Sequence, residues 1–336
     1  MATLTLVAAR TLVAAALIRC GTQGPAAGSV AAALVGAEAD GLKGHGLSRV
    51  ASYAAQVRAG KVVGDAAVAV SRPRPGLLAV DAAHGFAYPA LDAVLEHLPA
   101  MTRAQGVAAA GIRRSHHCGA AGRPVEALAE AGLVAILFAN TPAAMAPWGG
   151  SQAVFGTNPI AFAWPRPGKE PFVFDFATSA VARGEIELHR RAGKPVPDDW
   201  GYDAAGQPTT DPAAVLAGAM RTFGGHKGSA LAAMVELLAG PLIGDMTSQE
   251  SLAADAQRGG SPIGGELIIA IDPAGFVGTA VTHHLLRAEA LFAGIEDQGA
   301  RLPSQRRYAA RRRSLADGVA IPAALYDDIM KLPSGE

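Results

Sequence analysis

FGTNPIAFAWPRPGKEPFVFDFATS, Phe155–Ser179, is the stretch that decides how the chain folds. Its two apolar runs, Ile160–Trp164 and Phe172–Phe176, are parted by Pro165, Pro167 and Gly168. Short apolar runs bounded by Pro and Gly predict buried strands. Asp175 stands inside the second run, where a carboxylate needs hydrogen bonds or an opposite charge. Ala177-Thr178-Ser179 follows where the chain should turn into a helix, whose N-terminus favours anions. A buried acid at that point suits catalysis, and capping of the helix is the plainer alternative.

Upstream, Leu4–Cys20, Pro25 to Gly41 and Leu47–Ala59 carry helical patterns, each stopped or started by Gly or Pro. Ala66–Val70 and Leu77–Val80 predict strands. Pro89–Leu98 then predicts a helix, Gly106–Ile112 a strand, Ala120–Ala131 a helix and Leu133–Phe138 a strand. Downstream, Ala180–Arg191 and Ser229–Ala239 predict helices around an irregular Pro195–Pro212 segment. A long loop, Pro241–Gly265, leads to a strand at Leu267–Ile271, a helix at His283–Asp297 and a charged tail. The expected class is α/β. Residues 75–280 would form a central α/β domain, and residues 1–74, joined by 281–336, a helical part.

Half of the 336 residues are apolar, and Lys+Arg equals Asp+Glu at 29 each, so neither nucleic acid nor an anionic membrane is an expected partner. Cys20 and Cys118 are the only cysteines, which excludes a disulfide framework and a cysteine-based zinc site; no metal is expected. The N-terminal apolar stretch lacks a basic start and is broken by Arg10, and no run reaches the roughly 18 apolar residues of a membrane span. A cytoplasmic protein is expected.

Gly44-His45-Gly46-Leu47-Ser48-Arg49 sets a histidine between glycines, with an arginine about one helical turn later. Arginine suits a bidentate grip on a carboxylate, and histidine suits proton transfer near neutral pH. Ser115-His116-His117-Cys118-Gly119 lies between a strand and a helix, where α/β proteins place ligand groups. Gly224-Gly225-His226-Lys227-Gly228 opens a helix with exposed N–H groups and a lysine, which suits phosphate but has not the spacing of a Walker A loop. Gly-x-Gly-x-x-Gly after a strand is absent, so a Rossmann site has no support. Arg306, Arg307, Arg311, Arg312 and Arg313 form a basic cluster, read as a solvated helix face or a phosphate contact.

The ordered motifs GHGLSR, SHHCG, APWGG, FGTNPIAFAWP, FVFDFATS, PTTDP, FGGHKGSAL and LPSQRR resemble the malate/L-lactate dehydrogenase family that lacks a Rossmann fold, over nearly the whole chain. The resemblance implies a homodimer whose cofactor domain is built on a largely antiparallel mixed sheet. It implies NAD(P)H-dependent reduction of a carbon next to a carboxylate, with the motifs leaning towards cyclic 2-imino acids as substrates. A 2-oxo acid reductase or 2-hydroxy acid dehydrogenase is the alternative, and a non-catalytic dinucleotide-binding protein the alternative of another class. By matching position, His45 is the expected catalytic histidine, Asp175 the acid that orients it and favours its charged form, and His117 a further proton acceptor. Arg49 is the expected substrate-carboxylate arginine, with Trp148 near the substrate. The expected cofactor contacts are His117, Asn140, Thr141, Asp175, Ala177, Thr178, Lys227, Arg301, Ser304 and Arg306, with NADPH preferred over NADH. The family usually has serine before the catalytic histidine, and this chain has Gly44.

Overall fold

The computed structural model describes residues 2–255 and 263–332. In chain order the elements are β1 (Ala2–Leu4), α1 (Leu6–Arg19), α2 (Gly24–Ala39), α3 (Val50–Arg58), β2 (Ala69–Arg74), β3 (Leu77–Asp81), α4 (Ala87–Gln105), β4 (Val107–His116), α5 (Gly122–Glu130) and β5 (Val134–Ala139). They continue as β6 (Ile160–Trp164), β7 (Phe172–Phe176), α6 (Arg183–Arg191), β8 (Gly201–Tyr202), α7 (Pro212–Ala217), β9 (Ala219–Met220), α8 (His226–Ala239) and α9 (Ser248–Asp255). The last are β10 (Ile263–Ile271), α10 (Ala274–Val277), α11 (Val281–Glu296), α12 (Gln305–Asp317), β11 (Val319–Ile321) and α13 (Ala323–Met330).

The organising sheet has seven strands in the order β2-β3-β4-β10-β5-β6-β7 and is mostly antiparallel. Within it β3 runs parallel to β4, with Leu77 opposite Ala109. The strands β6 and β7 fall where the two apolar runs predict them. Their burial differs, however: Val173 is buried, whereas Asp175 and Phe176 are exposed at the end of β7. The expectation of a buried acid is therefore corrected.

Two compact units divide the chain: Met1–Leu137 with Ala161–Phe174 and Ile268–Glu336, and Phe138–Ile160 with Asp175–Leu267. These divisions differ from the expected breaks at 74 and 280. In the first unit the terminal helices share residues with the sheet, α13 lying on α1 and α3, and α12 on α2. Its core includes Val13, Leu17, Leu34, Tyr53, Leu98 and Ile112, all fully buried. The second unit packs Met145, Ile186, Val196, Val215, Met220 and Ala232 together.

Local chemistry explains most of the elements. Thr5 caps α1, its Oγ1 accepting from the Ala8 N–H at 3.1 Å. The expected end of α4 at Leu98 is overrun: Pro99 lies inside the helix, because Leu91, Val94, Leu98 and Met101 keep one buried stripe across it. The strand expected at Ala66–Val70 forms later, as β2, fully exposed and carrying Pro73 at the sheet's edge. The expected Pro241–Gly265 loop contains α9, and its residues 256–262 lie outside the described residues. The charged tail folds into α12, β11 and α13, with β11 paired antiparallel to β1. Among the described residues no single helix is long and apolar enough to cross a membrane.

Candidate active site

In the first unit, a short 3-10 turn at Lys43–His45 and another at Leu47–Arg49 carry the chain from α2 into α3. Glu38 fixes this turn, its Oε2 accepting from the Leu47 N–H at 3.0 Å. Gly46 is needed there, because any Cβ would collide with Glu38. Arg49 donates through Nε to the Gly44 carbonyl at 2.6 Å, which holds its guanidinium beside His45. The terminal nitrogens of Arg49 are then the groups suited to a bidentate carboxylate.

His117 arrives from the other side, one residue beyond the end of β4, with φ of +49°. A left-handed backbone is costly for a non-glycine residue and persists where the surroundings impose it. His45 and His117 stack, their ring centroids 5.6 Å apart and their planes 16° off parallel. Tyr53 sets its ring edge against His117 and its hydroxyl hydrogen-bonds His117 Nδ1. The Tyr53 and Tyr88 hydroxyls meet at 2.9 Å. The structure thus joins His45, Arg49 and His117, and adds two tyrosines that the motif reading missed. The available signal was Tyr53 itself, four residues after Arg49 on an apolar helix face, since a buried tyrosine hydroxyl needs a partner.

Both histidines are uncharged at neutral pH. Burial, and then the Arg49 charge, lower the pKa of His45 from 6.5 to about 4. Burial, then His45 and Arg49, hold His117 well below the usual histidine range. The expected charged form of His45 is therefore corrected: a buried imidazole beside a guanidinium favours neutrality. Burial and Tyr88 raise the pKa of Tyr53, so it stays protonated.

The second unit gathers another group of expected residues. Thr141 Oγ1 accepts from the Thr157 N–H at 3.0 Å, and buried Thr178 donates from Oγ1 to the Thr157 carbonyl at 3.1 Å and to that of Asn158 at 3.2 Å. Asn140 bridges Gly265 and Met246, accepting at 2.7 Å and donating at 2.6 Å. The side chains of Asn140 and Thr178 are thus engaged within the unit. Glu236, also buried, accepts from Asn158 Nδ2 at 2.9 Å and from Ser248 Oγ at 2.5 Å. Ala177 is half-buried, and Lys227 is exposed in the first turn of α8.

Gly224 and Gly225, with φ of +57° and +61°, turn the chain into α8. A Cβ on Gly225 would lie 2.9 Å from the Trp148 ring, so the indole covers this turn. The backbone N–H of Trp148 donates to Ser229 Oγ at 3.1 Å, which ties the two segments together. The N-cap Gly225 supplies no side chain to the first N–H groups of α8. An uncapped helix start beside an exposed lysine fits a phosphate.

The arginine cluster divides in two. Arg307 and Arg311 turn inward, both reaching Asp40 and Glu126, with contacts of 2.6 Å from Arg307 to Glu126 and from Arg311 to Asp40. Arg312 pairs with Glu170 at 2.5 Å. The solvated-face reading is corrected for Arg307 and Arg311, whereas Arg312 stays exposed with its partner. Arg301, Arg306 and Arg313 are exposed, and Ser304 donates to the Val173 carbonyl at 2.8 Å. Among the described residues no cluster of three His, Cys, Asp or Glu could hold a metal.

A family model for malate/L-lactate dehydrogenase matches residues 4–330. The chain belongs to this family. Within the malate/L-lactate dehydrogenase family it is 58% identical over 304 residues to a Δ1-pyrroline-2-carboxylate/Δ1-piperideine-2-carboxylate reductase of Pseudomonas aeruginosa, covering 90% of this chain and 91% of that one. It is 45% identical to an NADP(+) (2R)-3-sulfolactate dehydrogenase of Chromohalobacter salexigens, over 96% and 95% of the two chains. The crystal structure of a Δ1-piperideine-2-carboxylate reductase from Pseudomonas syringae superposes with a TM-score of 0.94 at 40% identity, covering 99% of this chain and all of that one.

Proposed function

We propose that this protein is an NAD(P)H-dependent reductase of cyclic 2-imino acids, converting Δ1-pyrroline-2-carboxylate to proline and Δ1-piperideine-2-carboxylate to pipecolate. The observation that carries the reading is the pair of stacked, uncharged histidines held beside Arg49. Arg49 binds the substrate carboxylate through its terminal nitrogens. A cyclic iminium carries a positive N–H, which a neutral imidazole accepts and an imidazolium would repel. His45 suits this, because its buried Nδ1 has no hydrogen-bond partner among the described residues. The nicotinamide, when bound, supplies the hydride to the carbon beside the carboxylate. The C=N electron pair then moves to nitrogen, and the product amine leaves with no proton drawn from the protein. Reduction of an open-chain ketone instead creates an alkoxide that must be protonated, and His45, with a pKa of about 4, carries no imidazolium proton for it at neutral pH.

The helix start at Gly225–Gly228 and Lys227 are the proposed holders of cofactor phosphate. NADPH is the proposed cofactor: Arg301 and Arg306 are exposed arginines suited to a 2′-phosphate, now that Arg307 and Arg311 are engaged internally. Asp175 is proposed, on the family resemblance alone, as the acid that orients His45, and a homodimer rests on the same resemblance. NADPH oxidation, followed by absorbance, is to be compared on the two imines, pyruvate and oxaloacetate. Faster turnover of the imines is expected. Turnover of the 2-oxo acids alone would overturn the proposal, and so would full activity in both His45→Ala and Asp175→Ala.

A further inference from the structure

Tyr88 and Tyr53 are almost completely buried, at 6% and 0% exposure, and their hydroxyls meet at 2.9 Å. Each hydroxyl has one hydrogen to place, and a buried hydroxyl hydrogen needs an acceptor. Tyr88 has its acceptor in Tyr53 Oη. Its hydroxyl otherwise lies against Gly119, where a Cβ would stand only 2.6 Å from Oη. The Cys118 sulfur, whose influence reaches both tyrosines, is a weak acceptor beside a phenolic oxygen. Tyr88 therefore donates to Tyr53, and Tyr53 must send its own hydrogen onward. The group waiting for it is His117 Nδ1.

We infer that Tyr53 is a positioning residue which, with its own hydroxyl oriented by Tyr88, holds the single proton of neutral His117 on Nε2. The polarity runs one way, from Tyr88 through Tyr53 to Nδ1. A neutral imidazole that accepts at Nδ1 presents a donor at Nε2. The opposite polarity would strand the Tyr88 hydrogen in a buried place. His117 thus offers a donor hydrogen, while the neighbouring His45 keeps a bare acceptor nitrogen for the iminium. This division of roles between two stacked rings rests on the proposed imine reduction, but the tautomer itself does not.

The test is nitrogen NMR of the full-length protein with labelled histidine at neutral pH, where hydrogen-bearing and bare ring nitrogens resonate apart. The His117 signals are those missing from a His117→Gln variant. The expected wild-type pattern is a bare Nδ1 and a protonated Nε2. Tyr88→Phe removes no atom in contact with His117, yet it should shift His117 towards a mixture of tautomers, and Tyr53→Phe should do so further. In Tyr88→Phe, kcat should fall roughly tenfold with KM unchanged, as a misplaced proton costs turnover rather than binding. A wild-type His117 protonated on Nδ1, or an unchanged tautomer in Tyr88→Phe, would overturn the inference. The expected tautomer in a protein that turns over no imine would support the inference and sink the imine-reductase reading separately.

Discussion

His45 is neutral in the folded protein and titrates normally once unfolded, so its burial makes stability depend on pH. The unfolded chain binds a proton at about 6.5 and the folded one only near 4, so stability is full above 6.5 and falls as pH drops between those values. The loss is at most about 3 kcal/mol, taking about 1.36 kcal/mol per pKa unit. Urea midpoints should therefore fall from pH 7 to pH 5, and His45→Gln should flatten that dependence. Arg49 makes the second prediction. Arg49→Ala should lower kcat/KM for the imines by roughly a hundredfold, since an ion pair with paired hydrogen bonds is removed. Steady-state kinetics in which KM barely changes would deny it the carboxylate. At this scale His45, Arg49 and His117 were legible, because the two motifs GHGLSR and SHHCG already mark them. The tyrosines were not: Tyr53 and Tyr88 are 35 residues apart, and only packing shows that their hydroxyls meet.

The arginines of α12 show how an element alters the meaning of a motif. In sequence they are a basic cluster, yet one face of the helix turns Arg307 and Arg311 onto Asp40, which caps α2, and Glu126 of α5. The side chains of Asp40 and Glu126 are 0% and 4% exposed, so this is a buried charge network rather than a phosphate site. Glu126→Ala should cost about 3–5 kcal/mol, because it leaves buried arginine charge uncompensated. A denaturation midpoint close to wild type would contradict this. The start of α8 gives a second test. Gly225→Ala must strain a backbone at φ +61° and push on Trp148, so it should weaken NADPH binding, read by nucleotide fluorescence, and cost about 1–3 kcal/mol. The glycines were visible in sequence, but Trp148, some 75 residues earlier, had no local signal for its place over them.

Over the whole molecule, the chain closes on itself within the first unit. β1 pairs with β11, and Arg19 of α1 donates to the Ile329 carbonyl in α13 at 3.3 Å. Ending the chain after Gly318 would remove buried Val319, Ile321 and Ile329, each contributing about 1.5–3 kcal/mol of apolar burial. Such a truncation should lower the melting temperature markedly, and an unchanged melting curve would show that the tail adds nothing. Sequence alone determined the strands β6 and β7, the helical start of the chain, the absence of a Rossmann motif and the resemblance to the malate/L-lactate dehydrogenase family, because apolar period, glycine and proline act locally. Only the tertiary structure decided that Asp175 is exposed, that His45 is uncharged, that Arg307 and Arg311 are structural and that two tyrosines stand behind His117. Burial and charge partnership are properties of neighbours brought together by folding, and adjacency along the chain does not encode them.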